Sequence, residues 1–341
     1  MTLTPHSSRV ILGGALVLAT ALGLGACSST STTEGSGTSV ASVASAALDS
    51  ATRTIKDSQG TSVTVPAHPQ KVVTLHFAAT QASLDLGITP IGQGAYIPGL
   101  LPEDIEPEVI DIPVVRDSDS VNLEQIAALE PDLVLVPNMI SAEDTAEIRK
   151  IAPAYVYTHS GADRADWQGR IEEISEALNL HDKFVALDDA VVARQEEIAT
   201  EYADILADNT FAVINAYSPQ EVGLNGSESM LGNLLTNAGV QWSAAEDHIV
   251  GGNEGAELTV SPEEVTRAVS DATVLLYASD LRAEPNEETA SFMTTEVYTN
   301  LPAVVDGKDF PIGKLTIAGF TDAMYSLDQL EEILIGLREA A

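Results

Sequence analysis

The chain of 341 residues is long enough for two domains or one large one, and with 45 % apolar residues a core is easily built. Sixteen basic residues stand against 51 acidic ones, a formal charge of −35. That balance argues against nucleic acid, whose phosphates need Lys and Arg, and against docking on an anionic membrane surface. It fits a saline or alkaline habitat as well as general solubility.

Arg9 is the only charge before Glu34, and Val10–Leu24 is an apolar run of signal-peptide length, too short to span a bilayer comfortably. The run ends in Leu24-Gly25-Ala26-Cys27, which resembles the lipobox of bacterial lipoproteins. The resemblance implies that residues 1–26 are removed and that Cys27 is lipidated as the new N-terminus. Cys27 is the only cysteine, so no intramolecular disulfide can form. Residues 27–51 are rich in Ser, Thr, Gly and Ala, cannot bury enough to fold alone, and read as a flexible tether. The expectation is a soluble body held by lipid on the outer face of the cytoplasmic membrane. A long tether suits a Gram-positive surface; in a Gram-negative cell this would be the periplasmic side.

Thr52–Val65 reads as a hairpin turning at Asp57-Ser58-Gln59-Gly60. Lys71–Leu75 is a buried strand, Ala78–Leu86 a helix closed by Gly87, and Pro90–Gly92 another strand. Asn122–Leu129 and Ala142–Ile151 are helices, Leu133–Val136 and Ala154–Tyr157 strands, and Trp167–Leu180 a further helix. Such alternation implies an α/β unit with a mostly parallel sheet. Asp182–Ala207 then reads as one long helix spanning roughly 40 Å at about 1.5 Å per residue. Phe184, Leu187, Val191, Ile198, Tyr202 and Ile205 form one apolar stripe, with Val185, Val192 and Ala199 beside it. No Gly or Pro occurs between Arg170 and Ser218 to invite a hinge. This is either an ordinary helix of one domain or a rigid strut between two lobes.

The same grammar returns after it. Phe211–Asn215 and Thr273–Tyr277 read as strands, Ser229–Asn237 and Ser261–Val269 as helices, and Tyr325–Arg338 as a closing helix. Asn122–Val136 also aligns without a gap on Ser261–Leu275. Each segment has a helix N-cap, a Glu at the second helical position, a capping-box partner (Gln125 or Glu264), and an Asp before a buried strand. The fold class is therefore α/β: two Rossmann-like lobes with mostly parallel sheets, residues 52–181 and 208–341, joined by the helix 182–207. A ligand would bind in the cleft between them, where loops from the strand ends converge.

The lipobox, the tether, the hairpin leading into Lys71-Val72-Val73, Leu86–Gly92, Asn122–Val134 and Leu301–Lys308 together resemble the iron–siderophore substrate-binding proteins of ABC importers. The resemblance covers essentially all of residues 52–341. It implies a helix-linked fold with little hinge motion, a ferric siderophore as ligand, no cofactor, a monomer, and an ABC permease dimer with its ATPase as partner. It places Glu124 and Glu263, one on each lobe, in Arg pockets of that permease; both also simply favour a helix N-terminus. It suggests that Arg116 meets the oxygens around the ferric ion. Tyr96, Trp167, Tyr217, Tyr277, Arg282 and Phe320 fall near other predicted loops and are candidate ligand contacts, or packing. An apolar-aromatic cleft with one or two Arg suits a hydroxamate or mixed chelate better than a strongly anionic tris-catecholate. The rival cargoes are haem, cobalamin and a bare metal ion, although His76, His159 and His248 lie on separate loops without a metal-binding spacing. A secreted hydrolase is the rival of another class, and no motif supplies a nucleophile beside a base.

Overall fold

The computed structural model describes residues 51–340 apart from Asp104 and Asp119; the expected signal peptide, Cys27 and nearly all of the tether lie outside the described residues. β1 (Thr52–Lys56) and β2 (Ser62–Pro66) form the antiparallel hairpin. Its turn is held by the buried carboxylate of Asp57, which accepts the Gln59 and Thr61 amides and pairs with Arg149 at 3.0 Å.

The first lobe is built on β3 (Val72–Thr74), β4 (Gln93–Gly94), β5 (Val114–Arg116), β6 (Leu133–Pro137) and β7 (Ala154–Tyr157). β3, β6 and β7 pair in parallel; β4 and β5 form a second parallel pair, joined to β3 by the Val73–Gly92 bridge. Spatial order is therefore β5-β4-β3-β6-β7. Every residue of β6 is buried, as expected of a strand covered on both faces. The strand expected at Pro90–Gly92 lies a little later, at β4, and a short helix Glu106–Val109 was not legible in the sequence.

The second lobe carries β8 (Thr210–Ser218), β9 (Glu221–Asn225), β10 (Gln241–Trp242), β11 (Glu257–Val260), β12 (Val274–Ala278) and β13 (Asp309–Gly313). The order is β11-β9-β8-β12-β13, with β10 beside the start of β8. β8, β12 and β13 are parallel, whereas β9 and β11 add an antiparallel edge. The matched helices start as their sequences predict. Ser261 and Glu264 form a full capping box. Asn122 accepts the Gln125 amide at 3.0 Å, but the Asn122 amide N–H goes to the Val115 carbonyl, so this box is only half made.

The connecting helix runs His181–Glu201, leaves helical geometry at Tyr202 (φ −110°, ψ 20°) and resumes as Ala203–Asp208. No Gly or Pro is responsible. The Tyr202 hydroxyl donates to Glu331 at 3.0 Å and its ring lies 4.4 Å under the Arg338 guanidinium, so contacts with the C-terminal helix Phe320–Ala340 hold the interruption. Only one of the two predicted stripes is covered: Phe184, Val191 and Ile198 are buried, but Val185 and Val192 are 42 % and 40 % exposed. The largest core cluster runs from Val72 and Leu133 in the first sheet, through Phe184 and Val191, to Phe211 and Val274 in the second. Continuous packing of this kind resists bending, since close-packed interiors transmit strain.

Candidate ligand-binding cleft

In each sheet the chain reverses its direction of travel beside the first strand. β3 is followed by β4 and β5 on one side and β6 on the other; β8 is flanked likewise by β9 and β12. Crevices open at the carboxyl ends of strands at such switch points. One crevice is entered by His76 and Phe77 after β3, the other by Tyr217 at the end of β8 and Ser279 after β12.

Two cavities lie along this line. One of about 400 Å³ is lined by Phe77, Ile97, Asn215, Tyr217, Asp280 and Lys314, among others. The second, about 290 Å³, is lined by Arg164, Tyr217, Gly223 and Glu257. Tyr217 belongs to both and is 52 % exposed. Its ring lies on the backbone of Gly223: a Cβ there would come within 2.7 Å of Tyr217 Cε2. Glycine in β9 thus makes room for an aromatic platform.

Each end of the cleft is clasped. Arg164 reaches across to Glu257 at 3.1 Å, and the Gly161 amide to Glu254 at 2.9 Å. At the other end Arg282 pairs with Glu103 at 3.2 Å and with Glu106. The base is tied by buried and half-buried polar groups. Lys314 Nζ meets Asp322 at 2.7 Å, Gln81 at 3.0 Å and the Leu100 carbonyl at 2.7 Å; Thr321 donates its hydroxyl to Asp85 at 2.6 Å. Burial pushes the Asp85 carboxyl up to about 6, above the usual carboxylate range.

In the first lobe His76 and His159 meet ring to ring, with centroids 4.0 Å apart. His76 Nδ1 accepts the Ala78 amide as the N-cap of the helix Phe77–Asp85. Burial, aided by His159 and the guanidinium of Arg116, pushes the His76 imidazole down to about 2. Burial, with Arg170 next, pushes His159 down to about 3, so both rings are neutral at physiological pH. Arg116 Nη1 donates to the Leu75 carbonyl at 3.1 Å, immediately before His76.

A family model described as periplasmic binding protein matches residues 72–312. The chain belongs to the periplasmic binding protein family. This binding protein is 26 % identical over 291 residues to the probable siderophore-binding lipoprotein YfiY of Bacillus subtilis, covering 83 % of this chain and 87 % of that one. It is 24 % identical to the Fe(3+)-citrate-binding protein YfmC of the same organism, over 96 % and 97 % of the two chains. Among solved structures, the siderophore periplasmic binding protein from the fuscachelin gene cluster of Thermobifida fusca superposes with a TM-score of 0.69. That pair is 28 % identical, and the match covers 80 % of this chain and 98 % of that one.

The residues singled out from the sequence fall into distinct places in the binding protein. Tyr217 lines both cavities, whereas Arg116 lines neither and donates to the Leu75 carbonyl. Tyr96 packs partly buried against Leu101, Val109 and Ile112, its hydroxyl buried without a partner among the described residues. Arg282 is taken up by the clasp. Trp167 and Phe320 are each 2 % exposed and pack edge to face at 5.7 Å in the core, so they support the cleft from behind instead of lining it. Tyr277 points to the outer face of its sheet, partly buried in the cluster that contains Phe292 and Tyr298. Glu124 and Glu263 are exposed, each at the second position of its helix. Sequence reasoning separated His76 from His159, which the fold brings together, and did not single out Phe77, Ile97, Arg164, Asn215 or Lys314. Of these, Phe77 and Asn215 lie in or just beyond a predicted strand, and that position was the available signal.

Proposed function

We propose that this protein is an extracytoplasmic solute-binding protein, anchored by lipid at Cys27. It captures a ferric siderophore, a hydroxamate or mixed chelate, between the lobes 52–181 and 208–341 and delivers it to an ABC permease. It binds and releases its cargo without turning it over. The observation that carries this reading is the clasped cleft between two switch points, with Tyr217 exposed between its two cavities and apolar Phe77 and Ile97 opposite. Concave, mostly apolar sites with a few converging polar groups suit a bulky ligand. The two named relatives, one for siderophores and one for ferric citrate, support the cargo class. Glu124 and Glu263 serve as the two permease-docking carboxylates, at equivalent places on the two lobes, facing a partner of two-fold symmetry. The protein works as a monomer, with neither cofactor nor nucleic acid.

The test is calorimetric titration of the purified protein with ferric hydroxamates, ferric citrate, a ferric catecholate, haemin, cobalamin and free Zn²⁺. Submicromolar binding confined to ferric chelates is the expected result. Binding of haemin or cobalamin alone would replace the cargo, and a haemin Soret shift abolished by His76→Ala would assign the histidine wall to an axial ligand.

A further inference from the structure

The core that joins the two sheets is continuous and resists a hinge between the lobes, and charge bridges both ends of the cleft. Cargo then has to enter by a local opening. Such openings are cheapest where a segment has few buried apolar contacts and an irregular, exposed backbone. The Arg164 end is the firmer of the two, since Glu257 belongs to β11 and is paired there with Asn225 of β9. The Arg282 end is built differently.

There residues 95–113 connect β4 to its parallel neighbour β5, and their described residues hold one short helix, Glu106–Val109. The connection has a small apolar cluster of its own, Leu101, Val109 and Ile112 with Leu84 and Tyr96, separate from the core that joins the sheets. Gln93 Nε2 roots it in the first lobe by donating to the Val109 carbonyl at 2.7 Å. Its front part reaches the second lobe. Ile97, Pro98 and Leu100 line the cavity of about 400 Å³. The Gly99 carbonyl accepts the Leu281 amide at 3.3 Å, and the Leu100 carbonyl accepts Lys314 Nζ at 2.7 Å. Gly99 has a φ of 84°, and a Cβ on it would come within 2.7 Å of Asp280 Oδ2 and 3.1 Å of Arg282 Nη1, so its backbone lies directly on the second lobe. Arg282 completes the contact. Its Nε donates to Glu103 at 3.2 Å and its Nη2 to Glu106, whose other oxygen accepts the Gly99 amide at 3.1 Å.

We propose that Ile97–Leu101 is a strap that opens locally to admit and release the cargo, and that Arg282 is its latch. The proposal rests on the reading of this cleft as the cargo site. Arg282 is a positioning residue: it lines neither cavity and acts through Glu103 and Glu106. The side chains of Arg282 and Glu103 are 30 % and 80 % exposed, so the latch is weak and screened by salt, as suits a strap that opens in every cycle. Because the latch stands outside both cavities, it holds the strap equally when the cleft is empty and when it is filled. Releasing it therefore speeds entry and exit by the same factor and leaves the affinity nearly unchanged.

The experiment reads the strap first without cargo, by amide hydrogen exchange. Arg282→Gln should speed exchange of the Gly99 and Leu281 amides about fivefold, the size expected of an exposed Arg held by two carboxylates, and leave the Val213 amide of β8 unchanged. Arg282→Lys should restore part of the protection, and added NaCl should move the parent protein toward the variant. Stopped-flow mixing with ferric desferrioxamine B and with ferric citrate, followed by tryptophan fluorescence, then gives the rates. For a chelate that binds, association and dissociation should both rise about fivefold in Arg282→Gln, with Kd changed by less than about twofold. Unchanged exchange at Gly99 and Leu281, or exchange that rises equally at Val213, overturns the strap. So does a variant in which dissociation alone accelerates and Kd rises to match, because Arg282 would then be a cargo contact. If neither chelate binds, the siderophore reading falls; the exchange result still decides the strap, and haemin and cobalamin replace the chelates in the rate measurement.

Discussion

Replacing Lys314 with Met probes whether the base of the cleft is held by charge. Lys314 is 7 % exposed and Asp322 fully buried, so the substitution leaves a carboxylate in the interior without its cation. Breaking a buried pair from one side costs about 3–5 kcal/mol. Asp322 would keep donations from Gln81 Nε2 at 2.6 Å and from the Ala318 amide at 2.8 Å, which places the loss near the lower end, about 3 kcal/mol. For a protein of this size that is a fall of about 6 °C in Tm. Lys314→Met together with Asp322→Leu removes both charges and should recover most of the loss, because an apolar pair of similar volume replaces a buried ion pair at little cost. Scanning calorimetry of the two single variants and the double gives the coupling directly. A single-variant shift under 2 °C, or a double variant as unstable as the sum of the singles, would refute the argument. The Leu100 carbonyl also loses its donor, so ligand affinity should fall with stability as the Ile97–Leu100 wall loosens.

Three further outcomes are expected. Asp85 titrates near 6 in the folded protein, so folding holds its proton more firmly than the unfolded chain does; the stability this confers is present at low pH and lost as pH rises through about 6. The drop is up to ~3 kcal/mol, and Asp85→Asn should flatten it in urea unfolding followed from pH 4 to 8; identical slopes for variant and parent would count against burial as the cause. Gly223→Ala forces its Cβ against Tyr217 Cε2 and should weaken ligand binding several-fold through a displaced ring, with Tm shifted by no more than a few degrees; unchanged affinity would remove Tyr217 from the site. Glu124→Ala with Glu263→Ala should abolish uptake in cells and leave ligand affinity unchanged, and normal transport by that double variant would end the docking proposal.

Local chemistry made much of the architecture readable. The apolar run Leu133–Val136, the paired helix starts at Asn122 and Ser261, and Gly87 with its positive φ of 84° each carry their meaning within a few residues. Periodicity and capping act over one or two helical turns, so the α/β grammar and the repeated lobe could be read directly. The interruption at Tyr202 could not, because its cause lies in Glu331 and Arg338, more than a hundred residues further on. The same holds for the cleft. Trp167 and Tyr217 are alike as letters near a loop, yet one is sealed against Phe320 and the other stands exposed on Gly223. His76 and His159 meet only because β3, β6 and β7 lie side by side in the sheet. Which side chains face a ligand depends on strand order and on the direction each strand end points, and those are set by long-range packing of two sheets on one continuous core.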